Sequence, residues 1–308
     1  MVEVSLDVLS FVGFITLFTT WRLTRKETPR APLLPTCIGW PKIVKRKEFV
    51  VATRIHNMNS SKLSDPKDVS AFISSALEYA TIVIICIGYY EPNSVNHSGL
   101  QSYLEVLSQQ LEISLGASTM SKVILLPVFP WGKFTSALNA AILTAIDCGY
   151  QYIAFQSIEF RLQKGSACKM FERIFSDPEA LVIGPEMDGH QFEYGRQILR
   201  GRTSPWNTFA IWSIEILALT GFPMIGDAYG GPCGGVEEVS TIALAQYIRP
   251  YLKAYLVRSS GILWDTKFVD AKRIAWHDVK MRSKDDRPAA QLVALNLPPA
   301  FVDHIDID

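Results

Sequence analysis

WGKFTSALNAAILTAIDCGYQYIAFQSIEF, residues 131–160, is the stretch whose reading decides the fold. Residues 134–148 read as a helix, and after the glycine at 149 residues 152–155 read as a strand. A helix that feeds a short apolar strand is the second half of a βαβ unit. Upstream, residues 122–128 read as a strand. Residues 100–111 form an amphipathic helix carrying Leu100, Tyr103, Leu104, Leu107 and Leu111. Residues 81–87, TIVIICI, are an unbroken β-branched run of the kind buried on both faces of a parallel sheet. Residues 68–79 have apolar side chains at helical spacing, and residues 48–53 are a short strand. Repeated βαβ winding places the loops after the strand C-termini on one edge, the natural ligand site of such sheets.

The second half is less regular. Residues 181–184 read as a strand, residues 209–220 as a mostly apolar helix stopped by Gly221 and Pro223, and residues 235–248 as a helix behind a glycine-rich turn. No repeat of fixed period is visible, which excludes solenoids and propellers.

The chain has 308 residues, 48% hydrophobic and 19% charged, enough to bury a large α/β core and too apolar for a disordered chain. Lys plus Arg equal Asp plus Glu at 30 each, so no global field draws nucleic acid and an anion site must be built locally. The five cysteines show no metal-knuckle or CxxC spacing, which reads as buried free thiols in a reducing compartment.

Residues 1–26 form a hydrophobic N-terminal segment, 27–46 a proline-rich stem, 47–290 the main domain and 291–308 a C-terminal tail. The uncharged run at 8–21 is 14 residues long and is followed by Arg22, Arg25 and Lys26. It is shorter than the ~20 residues that span a bilayer. It reads either as a membrane anchor, which by the positive-inside rule leaves the domain cytosolic, or as an amphipathic docking helix. The corresponding locations are membrane-associated facing the cytosol, or cytoplasmic.

Three segments in fixed order carry a family resemblance over residues 48–290: 131–160 quoted above, NTFAIWSIEILALTGFPMIGDAYGGPCGGVEEV at 207–239, and HDVKMRSKDDR at 277–287. They resemble the family-2-type glycosyltransferases of GT-A fold, which use nucleotide-diphosphate sugars. The resemblance implies an α/β, Rossmann-like, mostly parallel sheet flanked by helices. It also implies a hexosyltransferase-like enzyme that inverts the anomeric carbon. It assigns donor binding to Thr53, Arg54, Lys133, Asn139, Ser157, Glu159, Lys280 and Lys284, and acceptor binding to Trp206, Asn207 and Asp227. A divalent cation, Mn or Mg, falls to Glu159 and His277. The partners implied are a nucleotide-sugar donor and a glycan, lipid or protein acceptor, with no nucleic acid. One departure is marked. Gln156, Ser157 and Ile158 stand where the family has its aspartate-x-aspartate motif, and Glu159 alone is ionisable there.

Sugar transfer must neutralise charge growing on a departing diphosphate and remove a proton from the acceptor hydroxyl. Hard oxygen ligands suit a cation bridging phosphates, and the basic run 272–287 can serve the same end electrostatically. Glu237 and Glu238 open a helix behind four glycines. Successive helical residues point about 100° apart, so one of them, Glu237, is expected to face the acceptor as general base.

Two other readings compete. A nucleotidyltransferase needs a glycine-rich phosphate loop after its first strand, and residues 53–60 contain no glycine. A GT-A-like domain without catalysis, serving as a membrane-attached binding or scaffold subunit, is motivated by the missing aspartates. The retention of Glu159, Glu237, His277 and the basic run together favours activity.

Overall fold

The computed structural model describes residues 48–57, 64–89, 98–129, 131, 134–228, 234–264 and 271–308. The expected N-terminal helix and the stem lie outside the described residues. Among the described residues no helix is long and apolar enough to cross a membrane.

The chain order opens with β1 (Val50–Asn57), α1 (Pro66–Ala76), β2 (Val83–Tyr89), α2 (Ser98–Leu115), the one-turn α3 (Ala117–Met120), β3 (Val123–Pro127), α4 (Thr135–Asp147) and β4 (Tyr152–Gln156). This is the regular winding that the sequence predicts. Alternation along β1 sends Val50 and Ala52 to one face of the sheet and Val51 and Ile55 to the other. α1 begins where the Asp65 carboxylate accepts from the Lys67 amide at 2.9 Å, with proline in its first turn, and buries Val69, Phe72, Ile73 and Ala76 on one stripe.

The second half contains β5 (Phe160–Leu162), α5 (Lys164–Ser176), β6 (Ala180–Pro185), β7 (Gly195–Ile198), β8 (Phe209–Ser213), α6 (Ile214–Leu217) and a 3-10 turn (Met224–Asp227). It ends with α7 (Glu237–Ile248), β9 (Lys253–Arg258), β10 (Ile262–Trp264), α8 (Ala271–Arg282), α9 (Asp286–Ala294) and β11 (Phe301–Asp306). Nine strands form one sheet in the order β3-β2-β1-β4-β8-β6-β9-β11-β7, and β5 pairs with β10. β8 runs antiparallel to both its neighbours and β7 antiparallel to β11, while the other pairs in the large sheet are parallel. α4, α6 and α7 cover one face, and α1, α2 and α5 the other.

Two sequence expectations are corrected. Residues 209–220 do not form one helix: 209–213 are the strand β8, every residue of it buried, followed by the single turn α6. A short, wholly apolar run looks alike as a buried strand and as a buried helix, and pairing on both sides by β4 and β6 decides it. The C-terminal tail contributes β11, which lies between β9 and β7, so the sheet extends beyond the boundary placed at 290.

β8 also positions the site. Because it enters antiparallel, its first residue pairs with the last of β4, Gln156 with Phe209. Trp206, Asn207 and Thr208 are thereby delivered to the C-terminal edge of the parallel strands, and the Ser157 amide donates to the Thr208 carbonyl at 2.9 Å.

Candidate active site

Three chain segments meet at this edge: β1, the start of α7, and the junction of α8 with α9. α7 starts with Glu237 and Glu238, both 5% exposed. Residue 236 before them is a valine at φ 61°, ψ 42°, the left-handed region that a β-branched side chain rarely occupies. That strained residue turns the chain so that the acidic pair faces inward.

Glu237 lies 3.6 Å from the Arg54 guanidinium and accepts from the Asn207 side-chain amide at 3.4 Å. Glu238 accepts the Asn207 backbone N–H. The Asn207 carbonyl oxygen in turn accepts from the Trp212 indole at 2.9 Å. Asn207 therefore holds both carboxylates while its own orientation is fixed from the core. Burial, then the like charge of Glu237, pushes the Glu238 carboxyl up to about 7, against the pull of the Asn207 amide and Lys284.

Basic side chains act on the pair as well. Lys284 is 7% exposed, and its ammonium stands 2.9 Å from the centre of the Trp206 ring. Burial lowers its pKa well below that of an ordinary lysine, with Lys280 and Arg287 adding to the effect and Glu238 opposing it. Lys280 is exposed as a residue, yet its ammonium end turns into the protein. Burial there lowers its pKa, with Glu237 and Glu238 opposing and Arg54 and Arg287 assisting.

Arg287 acts as a brace. Its guanidinium donates to the carbonyls of Gly234, Lys280 and Ser283, tying the glycine turn before α7 to the end of α8. Gly235, at φ 93°, takes a backbone conformation that residues with a side chain rarely adopt, and it lies against the Arg287 guanidinium. Gly201 lies under the Lys284 carbonyl, where a Cβ would overlap backbone.

The structure brings together Arg54, Asn207, Glu237, Glu238, Lys280 and Lys284 from the sequence expectations. Ser157 stands nearby on the same strand edge. Glu159 is exposed in the turn between β4 and β5. Lys133 and the side chain of His277 lie outside the described residues, the latter on α8.

Four expected ligand residues have partners in the framework. Asp227 accepts from the amides of Phe134 and Thr135 at 2.6 and 3.0 Å and from the Thr135 hydroxyl at 2.8 Å, so both of its oxygens cap the N-terminus of α4. Asn139 donates to the Phe222 carbonyl at 3.0 Å and accepts its N–H at 2.8 Å, clamping a turn with both ends of its amide. Trp206 is 1% exposed, donates to the Gly201 carbonyl and stacks on His190 with ring centres 3.6 Å apart, so it offers no open face to a sugar. Thr53 is 3% exposed, one residue out of phase with Arg54 on β1.

Sequence reasoning missed the bracing roles of Arg287 and of Gln291, which donates to the Gly235 carbonyl at 3.0 Å. It also missed His190, whose pKa is lowered to about 3 by burial and then by Lys284. Paired glycines at 234–235 were the available signal for the first. Nothing local marked the second.

No protein-family model matches the sequence, and no curated protein matches it. Among solved structures the chain is similar to the mannosyltransferase PcManGT from Pyrobaculum calidifontis in complex with GDP-Man and Mn2+. The identity is 13%, with 91% of this chain and 71% of that one covered, and the TM-score is 0.50. It is similar at lower levels to a mycobacterial protein (10% identity, 82% and 76% covered, TM-score 0.44). The same holds for a UDP-glucose pyrophosphorylase from Acinetobacter baumanii (13% identity, 81% and 99% covered, TM-score 0.42). The fold is GT-A-like.

The sequence resemblance leads one to expect a divalent cation at the end of β4. There the Gln156 side chain accepts from the Tyr79 hydroxyl at 2.6 Å and donates to the Phe160 carbonyl at 3.0 Å, so neither end is available to a metal. Ser157 and one exposed carboxylate remain, where a cation bridging phosphates takes several hard oxygen ligands. Among the described residues no group of three or more His, Cys, Asp or Glu could hold a metal ion. The described donor set does not fit a resident divalent cation, and no chemical step below uses one.

Proposed function

We propose that this chain is a glycosyltransferase that moves a sugar from a nucleotide-diphosphate sugar to an acceptor hydroxyl with inversion. The observation that carries the reading is the meeting of a buried acidic pair with Arg54, Lys280, Lys284 and Arg287 at the C-terminal strand edge of a GT-A-like sheet. The likeness to a mannosyltransferase bound to GDP-Man supports a nucleotide sugar as donor.

In this reaction the acceptor oxygen forms a bond to the anomeric carbon as the bond from that carbon to the diphosphate oxygen breaks. The bonding pair leaves with the nucleotide diphosphate, and the hydroxyl proton passes to a carboxylate. Glu237 is the general base, held by Arg54 and by Asn207. Glu238 sits beside it, its carboxyl pushed up to about 7 by burial and by the charge of Glu237. Arg54 and Lys280 face the leaving group and stabilise its growing charge.

A screen of nucleotide sugars by thermal unfolding tests the reading. A true donor at a hundred times its dissociation constant adds about 2.7 kcal/mol to the folded state. It should then be consumed, with release of free nucleotide diphosphate, when acceptors are supplied. Stabilisation by nucleoside triphosphates together with sugar phosphates, and not by nucleotide sugars, would favour nucleotidyl transfer instead. Donor binding with no turnover on any acceptor class would favour a binding subunit.

A further inference from the structure

Asn207 touches both members of the acidic pair, with different atoms. Its side-chain Nδ2 donates to Glu237 at 3.4 Å, and its backbone N–H donates to Glu238. Which end of the amide meets Glu237 is decided inside the core. The Trp212 indole, fully buried on β8, donates to the Asn207 Oδ1 at 2.9 Å. An indole N–H has no accepting form, so it takes the amide oxygen and leaves the amino group for the carboxylate. With the amide turned over, two donors would face each other and the buried indole would lose its partner, a state that protein interiors avoid.

An amino group only donates, so it favours the ionised form of the Glu237 oxygen that it reaches. The Arg54 guanidinium, 3.6 Å away on β1, acts in the same sense. Glu238 has the backbone N–H instead, and burial and the charge of Glu237 push its carboxyl up to about 7. The pair is also acted on by Lys280 of α8 and by Lys284 beyond it, and Arg287 acts on both lysines. Asp227, on the 3-10 turn that meets Glu237 at Gly226, directs both its oxygens to the start of α4.

We propose that Trp212 is a positioning residue: by fixing the Asn207 amide from within the sheet, it makes Glu237 the ionised member of the pair and Glu238 the member that takes the proton. What this means for catalysis rests on the glycosyl-transfer reading above, in which Glu237 is the base and must be ionised to act.

The test is a carbon-13 NMR titration of the full chain, labelled at the glutamate side-chain carboxyls, with the two resonances assigned by Glu237→Gln and Glu238→Gln. In the wild type the step near pH 7 should fall on the Glu238 carbon, with a small share on Glu237. Asn207→Ala removes the side-chain amide and keeps the backbone N–H. It should raise the share carried by Glu237 by about threefold or more, the equivalent of about half a pK unit. Trp212→Phe keeps a buried ring, removes the indole N–H, and should act in the same direction. Added to Asn207→Ala it should change neither carbon further, because the effect passes through the amide.

A wild-type step near pH 7 that falls mainly on Glu237 would overturn the proposal. So would equal changes from Trp212→Phe in both backgrounds, which mark a general loosening of the core. If Trp212→Phe does not fold, an unmoved Glu237 share in Asn207→Ala still overturns it. The readout is protonation and not turnover, so the expected titrations in a chain that transfers no sugar would remove the glycosyl-transfer reading and leave this proposal standing.

Discussion

Asp227 and the pair Glu237–Glu238 lie ten residues apart in the chain, are all buried, and stand at the N-termini of two different helices. Their partners differ. Asp227 is satisfied by two backbone amides and a hydroxyl of a helix that belongs to another part of the chain. Glu237 pairs with the Arg54 guanidinium at 3.6 Å, and Glu238 acts on the buried ammonium of Lys284. A carboxylate whose oxygens accept from the amides and hydroxyl at a helix start contributes to the framework. Burial and like charge keep one carboxyl of the pair near its titration point, and that is a poise suited to moving protons.

This contrast can be broken by substitution. Glu237→Gln should lower turnover by about a thousandfold, equivalent to about 4 kcal/mol of barrier, with donor affinity within a few-fold and little change in unfolding by urea. Unchanged turnover would remove Glu237 from the chemistry. Asp227→Ala should do the reverse. It should cost about 3 kcal/mol of folding stability, since charge-assisted bonds at a helix N-terminus are lost and buried amides are left unpaired. A variant of Asp227 with normal stability but lost acceptor binding would return it to the site.

His190 sharpens the same comparison from the neutral side. Its folded pKa lies near 3 and its ordinary value at 6.5, so below 6.5 the unfolded chain takes a proton that the folded chain refuses. The stability linked to His190 is therefore complete above pH 6.5 and drains away as pH falls towards 3. His190→Phe should be less stable at pH 7, because the Met187 amide and the Ser204 carbonyl lose their partner. Its stability should nevertheless fall by about 2 kcal/mol less than that of the wild type between pH 7 and pH 5. Parallel losses in chemical unfolding at the two pH values would show that His190 titrates normally.

The smallest expected effect is in the pH profile of the wild type. With Glu238 ionising at about 7, turnover should change by a few-fold across that pH, rising to a plateau above it, because the charge beside the base is lost below it. A profile flat from pH 6 to 8 would detach Glu238 from proton transfer, while the Asp227→Ala profile should keep the wild-type shape.

How much of this was legible in the sequence depends on the range of the forces involved. The strands and helices of the first half announce themselves because period and capping are local properties: the run at 81–87, the stripe of α1 and the Asp65 cap lie within a few residues of the elements they define. The same local reading put Glu237 and Glu238 at a helix start and marked Lys280 and Lys284 in the basic run, while Arg54 was pointed to by the family resemblance alone. It could not rank the acids, since Asp227 and Glu237 look alike until their partners are known.

The sequence by itself determined a doubly covered parallel sheet with its loops on one edge, since hydrophobic period and turn chemistry are written residue by residue. Only the tertiary structure decided that 209–213 is a strand, that residues 301–306 complete the sheet, and which framework groups Asp227, Asn139 and Trp206 bond to. The physical reason is that burial, ion pairing and hydrogen-bond satisfaction are settled between groups tens of residues apart. Asn207 meets Glu238 31 residues along the chain and Arg54 meets Phe134 80 residues along it, and no local pattern records either meeting.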